Sequence, residues 1–427
     1  MLKIALINLP NPGLAEPWSN FPLGLGYVAA SIEERGYDIE VLDYCEGIGL
    51  IPYCDIYGIQ ITAPQVDIAE KLAEHLKAYS PSSLIIGGGP QMLVDRKRFI
   101  DNPNFDSIVI GEGEFSFYEL IRHYELNGKV DQEYWNPPIK LLDDISFPAR
   151  RLFSNFKENA LRTHQLLKGD YIEGGQTTII ASRGCPWECS FCAPHSRKLR
   201  FRSPQNVVDE IRQVIEQFGI YQFKWQDDTF TSNKKWVLKL CELLNTELPQ
   251  TYHRAHTRVD VFDEDMAKAM WMAGFRILCF GIESFDQRLL DINNKAIKVD
   301  QILSSLAIAK KYGFKTIGFL IFGMPGENRK SIDITKTEIL KNKNLLDYLN
   351  LATMVPLLGT PIYNDPDKFF ATIIESDMSK YWIVNHDAND DILVKTNGVS
   401  IEEMKLLKVE MYKFLRDEGY ARPEWKK

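Results

Sequence analysis

Ser182-Arg183-Gly184-Cys185-Pro186-Trp187-Glu188-Cys189-Ser190-Phe191-Cys192 follows directly on the apolar run Thr177 to Ala181. Three cysteines crowded into one loop at the end of a strand can each ligate one iron of a [4Fe–4S] cluster, whereas a cluster that only passes electrons normally takes four. The fourth iron is then open, and an open position is where metal chemistry happens, by the logic that separates catalytic from structural zinc. Two other readings use the same residues: three structural cysteines, or a zinc knuckle in which His195 completes the set. Cys45, Cys54, Cys241 and Cys279 are scattered through apolar or mixed segments and read as buried thiols.

Composition sets the frame around that loop. A chain of 427 residues has room for two or three domains, each with its own core. Apolar content of 45% and charged content of 25% place it in the soluble globular class. No apolar run approaches the roughly 20 residues that span a bilayer. Met1 to Asn8 reads as a first strand rather than a cleaved leader. The expected location is therefore the cytoplasm, where thiols stay reduced. A net charge of −8, from 50 basic and 58 acidic residues with no basic block, argues against nucleic acid as the main partner.

Four regions are expected along the chain: 1–130, a linker over 131–170, 171–365, and a helical C-terminal region over 366–427. In the first, apolar runs at Lys3 to Leu9, Ile39 to Tyr44, Ile56 to Ile61, Leu84 to Ile86 and Ser107 to Ile110 alternate with helical patterns at Leu23 to Arg35, Val66 to Ala78 and Phe115 to Tyr124. That alternation predicts an α/β, doubly wound parallel sheet with ligands beyond the carboxyl ends of its strands. Gly87-Gly88-Gly89-Pro90 and Gly111-Glu112-Gly113-Glu114 stand at two of those ends. Either they make tight turns or they let a large ligand approach the backbone. In the third region the strands Thr177 to Ala181, Gln222 to Gln226, Tyr252 to Thr257, Arg276 to Gly281, Thr316 to Phe322 and Tyr348 to Val355 predict an open, partial (β/α)6 barrel. Reactive groups of such barrels gather at the C-terminal strand ends. The helix Ile401 to Arg416 is expected to cover the barrel's open side or shape the substrate site.

Polar groups punctuate those ends. Asp227 and Asp228 close the second strand, as a helix-capping pair or as carboxylates facing a bound amine. Arg258 closes the third, free to clamp a carboxylate or to pair with Asp260. Glu283 and Ser284 close the fourth, where a carboxylate is costly to bury without a partner.

The Cys-x-x-x-Cys-x-aromatic-Cys pattern resembles the signature of radical S-adenosylmethionine (SAM) enzymes. Gly281-Ile282-Glu283-Ser284 and Gly318-Phe319-Leu320-Ile321-Phe322-Gly323-Met324-Pro325-Gly326-Glu327 resemble later motifs of that family in the same order. The resemblance implies that Cys185, Cys189 and Cys192 hold the cluster, whose electron cleaves SAM to a 5′-deoxyadenosyl radical. It places Asp227 or Asp228 at the SAM ammonium, Arg258 at its carboxylate, Glu283 with Ser284 at the ribose, and the Gly323 segment at the adenine. Pro22-Leu23-Gly24-Leu25-Gly26-Tyr27, Gly58-Ile59-Gln60-Ile61-Thr62 and Pro356 to Tyr363 resemble the cobalamin-binding branch. That implies cobalamin contacts at Thr62, Gly87, Gly88, Gly89, Gly111, Glu112 and Gly113. No histidine lies in an Asp-x-His-x-x-Gly pattern, so the cobalamin's lower face is expected to lack a histidine ligand.

The implied activity is that of a cobalamin-dependent radical SAM methyltransferase acting at an unactivated carbon, or at phosphorus, of a small molecule or peptide, with flavodoxin or ferredoxin as electron donor. Rearrangement, ring contraction or cyclisation without methyl transfer is the alternative. A cofactor sensor without turnover and a zinc-binding scaffold are the readings from other classes.

Overall fold

The computed structural model describes residues 2–14, 16–163, 174–193, 196–375, 381 and 392–420. By its packing the chain divides into two compact units, 1–179 with 200–222, and 180–199 with 223–427.

The first unit holds the strands β1 (Lys3–Asn8), β2 (Asp38–Asp43), β3 (Ile56–Gln60), β4 (Leu84–Gly88), β5 (Ser107–Ile110) and β6 (Glu133–Trp135). They form one sheet in the order β2-β1-β3-β4-β5-β6, with every neighbouring pair parallel. Ile4, Ala5, Leu6 and Ile7 of β1 are all buried, as a strand covered on both faces requires. Helices Leu23–Glu34, Val66–Tyr79 and Gly113–Asn127 supply the crossovers. The strand order reverses direction at β1, which is where parallel sheets open a crevice for ligands.

Two features differ from the sequence expectation. The strand expected to stop at Ile86 runs on to Gly88, so two of the three glycines belong to β4 itself. Within the expected linker, Tyr134 is buried and its short strand β6 pairs with β5, and Phe156–Arg162 is helical. Three residues are too few for a readable period. Residues 164–170 of that segment lie outside the described ones. The helix Pro204–Phe218 begins as expected, with Ser203 accepting the Asn206 N–H and proline at its first position. Its Glu210 is fully buried and paired with Arg150 at 2.7 Å and with Arg202.

The second sheet contains β7 (Gln176–Ile179), β8 (Gln222–Trp225), β9 (Tyr252–Thr257), β10 (Phe275–Glu283), β11 (Lys315–Phe322) and β12 (Tyr348–Thr353). Its order, β12-β11-β10-β9-β8-β7, is strictly sequential, and the pairs from β9 to β12 are parallel. These are the six strands expected of the open barrel. Burial alternates along β9 with period two. His253 and Ala255 are buried, and His253 packs with Phe223, Trp225 and Phe275, whereas Arg254 and His256 on the opposite face are half-buried.

The helix Ile401–Asp417, capped by Ser400, buries Met404, Leu407, Met411 and Leu415. Its Glu410 accepts from Arg329 at 2.9 and 3.1 Å, so it packs on helix Arg329–Lys341. Residues 376–380, 382–391 and 421–427 of the expected C-terminal region lie outside the described ones. No described helix is long and apolar enough to cross a membrane.

Candidate active site

The cysteine loop opens on Gly184, whose φ is +99° and whose missing Cβ would stand 2.6 Å from the Lys198 carbonyl oxygen. Only glycine fits there. The Cys185 N–H donates to the Ser196 carbonyl at 2.9 Å and the Cys192 N–H to the Cys189 carbonyl at 3.2 Å. Between them Ser190 is fully buried; its N–H and hydroxyl donate to the carbonyl and side-chain oxygens of Asn293 at 2.9 and 2.7 Å. The Asn293 amide in turn donates to the Leu289 and Pro325 carbonyls, both at 2.9 Å.

Burial raises the Cys185 thiol, and pushes Cys192 up to about 11, with the neighbouring thiols and Asp228 adding to the shift. Three thiolates so close together need a compensating positive charge. Among the described residues, no three His, Cys, Asp or Glu side chains converge as one metal ion would require. A [4Fe–4S] cluster would take each of the three thiolates on a separate iron. His195, the candidate fourth zinc ligand, lies outside the described residues.

Around the loop, the ends of β8, β9 and β10 carry ionisable groups. Asp227 is buried, accepts from the Ser182 hydroxyl at 2.5 Å and from the Ala181 N–H at 3.2 Å, and burial raises it to about 6. It ties the start of the cysteine loop to the end of β8. Asp228 is exposed, and its charge acts on Cys185 and Cys192, which makes it the carboxylate of the pair that faces the cysteine loop. Arg258 is chelated by Asp260 at 2.9 and 3.1 Å and also donates to the Lys295 carbonyl at 2.8 Å. Its guanidinium stacks over Trp187 at 4.5 Å and lies 3.9 Å from the Cys189 sulfur, so it braces the loop.

Glu283 is the last residue of β10, at a register shift, with φ of +63°. A glutamate in the left-handed region costs backbone energy and is held there by its surroundings. Its carboxylate accepts from Lys295 at 2.6 Å, both groups buried. Asn294 and Ala296, flanking that lysine, also have positive φ. Ser284 is buried, with its hydroxyl 3.3 Å from that of Thr335. Gly323 follows β11 with φ of +86° and donates its N–H to the buried carboxyl of Glu327, which burial raises to about 8. The missing Cβ of Gly323 would lie 3.8 Å from Met404 of the C-terminal helix.

In the first unit, the glycines separate into those the fold requires and those it does not. A Cβ on Gly89, where φ is +95°, would meet the Ile61 carbonyl oxygen at 2.8 Å, and one on Gly113 would meet Val28 at 2.9 Å. Gly87 faces Met92 at 3.3 Å. Gly111, with φ of +80°, is exposed, with Trp135 at 3.9 Å. Gly88 is different: nothing stands nearer than the Ile59 carbonyl at 3.9 Å. Gln60, opposite Gly88 in the register, has a buried side-chain oxygen without a partner among the described residues. An open backbone stretch beside an unsatisfied amide fits a large amide-bearing ligand such as cobalamin. Thr62 and Glu112 are engaged locally: the Thr62 hydroxyl donates to Gln65 at 2.7 Å, and Glu112 holds Arg200 at 2.6 Å and the Ile139 N–H at 2.7 Å. A crevice at the ends of β1 and β2, between Asn8, Asp43 and Trp18, admits about 20 Å³, enough for one water.

Sequence reasoning missed Asn293 and Lys295, and held Gln60 only as part of the Gly58-Ile59-Gln60-Ile61-Thr62 motif. The Asn293-Asn294 pair is a turn signal that also tolerates left-handed backbone. Nothing local marks Lys295, which lies 12 residues beyond its carboxylate.

An open sequential sheet with a three-cysteine loop and charged strand ends, preceded by a doubly wound sheet, is the architecture of cobalamin-binding radical SAM enzymes. The sequence profile of the Radical SAM superfamily matches residues 179–339. The uncharacterized methyltransferase PH0819 of Pyrococcus horikoshii is 30% identical over 370 residues, covering 80% of this chain and 77% of that protein. Cytidylyl-2-hydroxyethylphosphonate methyltransferase of Streptomyces wedmorensis is 27% identical, covering 76% and 73%. The anaerobic magnesium-protoporphyrin IX monomethyl ester cyclase of Cereibacter sphaeroides is 26% identical, covering 66% of this chain and 48% of its own length. Among solved structures, the cobalamin-dependent radical enzyme OxsB with aqua-cobalamin and SAM bound superposes with a TM-score of 0.74 at 16% identity, covering 96% of this chain and 66% of that one. The methyltransferase TsrM of Kitasatospora setae, with cobalamin and a [4Fe–4S] cluster bound, gives 0.68 at 14% identity, covering 99% and 92%. This chain belongs to the radical SAM superfamily.

Proposed function

We propose that the chain is a cobalamin-dependent radical SAM enzyme that activates an organic substrate by hydrogen abstraction. The observation that carries the reading is the cysteine loop itself, three thiols braced by Asn293 and Arg258 with Asp228 and the Glu283–Lys295 pair at the neighbouring strand ends. When bound, the cluster would supply the electron that cleaves SAM, and cobalamin a methyl group or a redox partner.

The chain's own residues have separable tasks. Cys185, Cys189 and Cys192 hold the cluster. Asp228 offers its charge to the SAM ammonium, and Glu283 offers its carboxylate to the ribose. The Gly323 segment lines the adenine side, while Gly88 and Gln60 face the cobalamin. Arg258, committed to Asp260 and to the loop, acts through Cys189 rather than on the SAM carboxylate.

Two outcomes share this machinery. Methyl transfer to carbon or phosphorus is supported by two relatives named as methyltransferases, each matched over about three quarters of its length. Ring closure or rearrangement without methyl transfer is supported by the cyclase relative. The test is product stoichiometry under reducing conditions. Methyl transfer predicts one S-adenosylhomocysteine and one 5′-deoxyadenosine for each product heavier by a methyl group. 5′-Deoxyadenosine alone, with a product that has gained no methyl group, establishes the second outcome. No 5′-deoxyadenosine at all would reject the enzyme reading.

A further inference from the structure

The half-buried face of the second sheet, opposite its aromatic core, carries charges that the reading above does not use. Arg254 and His256 lie two residues apart on β9, and Lys224 on β8 contributes a second cation that acts on the same imidazole. Arg254 donates from Nε to the Cys279 sulfur at 3.1 Å, and no carboxylate among the described residues pairs with it. A half-buried guanidinium without an acid is costly unless a ligand brings one. His256 has a buried Nε2 with no hydrogen-bond partner among the described residues, and its ring lies 5.7 Å from that of Phe319. Burial, together with Arg254 and Lys224, lowers its pKa to about 3, so the imidazole is neutral and has a nitrogen to offer.

We propose that Arg254 and His256 form the substrate-recognition site, and that the substrate carries an anionic group, a carboxylate or a phosphate, which Arg254 binds while His256 meets a polar group nearer the reacting carbon. This rests on the enzyme reading above. The position on the strand separates the site from the SAM carboxylate. Arg254 pairs in register with Ile277, six residues before Glu283 on β10. At about 3.3 Å per residue the two backbone positions are roughly 16–20 Å apart along the strand, allowing for the register shift. The anion therefore sits deep while the reacting centre stays at the strand ends, which calls for an elongated substrate. The two free Nη groups suit a two-oxygen anion in fork geometry, and Phe319 gives the apolar wall between.

The test uses the full chain with its cluster reconstituted, and inorganic phosphate and acetate as probes against chloride at equal ionic strength. At least one of the two probes should raise the unfolding midpoint of the wild type, with an apparent affinity about tenfold weaker in Arg254→Gln and partly kept in Arg254→Lys. A response to phosphate only marks a phosphorylated substrate, and a response to acetate marks a carboxylate. Equal responses of wild type and Arg254→Gln would overturn the proposal, and so would a tenfold loss of SAM affinity in that variant, which would return Arg254 to the cofactor. Should Arg254→Gln not fold, Arg254→Lys is read in its place: probe binding weaker than in the wild type supports the site and unchanged binding rejects it. Failure of the reduced wild type to make 5′-deoxyadenosine would remove the enzyme reading while leaving the probe binding measurable.

Discussion

The two sheets finish their strands in opposite ways. In the first unit two neighbouring strand ends are bare: β4 runs out through Gly88 and Gly89, β5 into Gly111, and what is presented there is backbone. In the second they are charged: Asp227, Arg258 and Glu283 are all buried, and each is held by a donor or acceptor from a neighbouring segment. A bare edge accepts a large ligand along its surface, where many weak contacts add up. A charged rim fixes a small ionic ligand at a few points and keeps its geometry by strain, as the positive φ of Glu283 shows.

The strongest way to break that contrast is at the cysteine loop. Cys185→Ala, Cys189→Ala and Cys192→Ala should each abolish formation of 5′-deoxyadenosine, and each should lower the iron content from about four per chain. Cys241, buried on the helix Lys234–Glu247, should tolerate alanine with activity intact. Full activity in any loop variant would sink the cluster assignment.

Next in size is the pair beneath the strained glutamate. Lys295→Met leaves a buried carboxylate without its cation, a change that costs about 3–5 kcal/mol. The double variant Glu283→Gln with Lys295→Met should recover much of that stability and none of the SAM affinity. Urea midpoints of the two single variants and the double variant measure the coupling; additive losses would show that the pair is not a unit. Glu283→Ala alone should slow 5′-deoxyadenosine formation about tenfold and, if methyl transfer is the outcome, S-adenosylhomocysteine formation by a similar factor.

Both sheets were legible in the sequence because their strands are short apolar runs divided by glycine, proline and capping residues, and six sequential βα units admit few topologies. The Cys185 loop was legible because its spacing is local. What the sequence did not disclose depends on contacts between distant segments. Arg258 had two readings, and its contact with the Lys295 carbonyl, beside that with Asp260, is one no local pattern shows. Asp227 and Asp228 are adjacent and chemically identical, yet one is buried against Ser182 and the other is exposed. Strand β6 was missed because three residues carry no period.

A smaller effect, confined to stability, tests the burial of the rim. Glu327 is held near 8 in the folded chain, above its ordinary value of 4.5. The folded state therefore keeps a proton that the unfolded chain has released, and the contribution of this group falls as pH rises from 4.5 through about 8. The slope can reach about 1.4 kcal/mol per pH unit. Glu327→Gln, neutral throughout, should flatten that loss when urea midpoints are followed across the window. An unchanged slope would mean the carboxyl is not desolvated as its burial indicates.

The finest test sharpens the bare edge. Gly88 has no positive φ and its missing Cβ would meet nothing nearer than 3.9 Å, so the folded chain has room for alanine there. Alanine also restricts the unfolded chain, which favours the folded state by about 0.4–1 kcal/mol. Gly88→Ala should therefore unfold no earlier than the wild type. Gly89→Ala should unfold earlier, because its Cβ would press on the Ile61 carbonyl oxygen at 2.8 Å from a left-handed backbone. If cobalamin lies against this edge, the methyl group on residue 88 holds the ligand off the backbone and weakens binding about tenfold, or about 1.4 kcal/mol. Cobalamin titration followed by absorbance separates the two effects: the Gly88 variant should lose affinity and keep stability. Wild-type affinity in Gly88→Ala would show that the gap beside Gln60 is not where the corrin approaches.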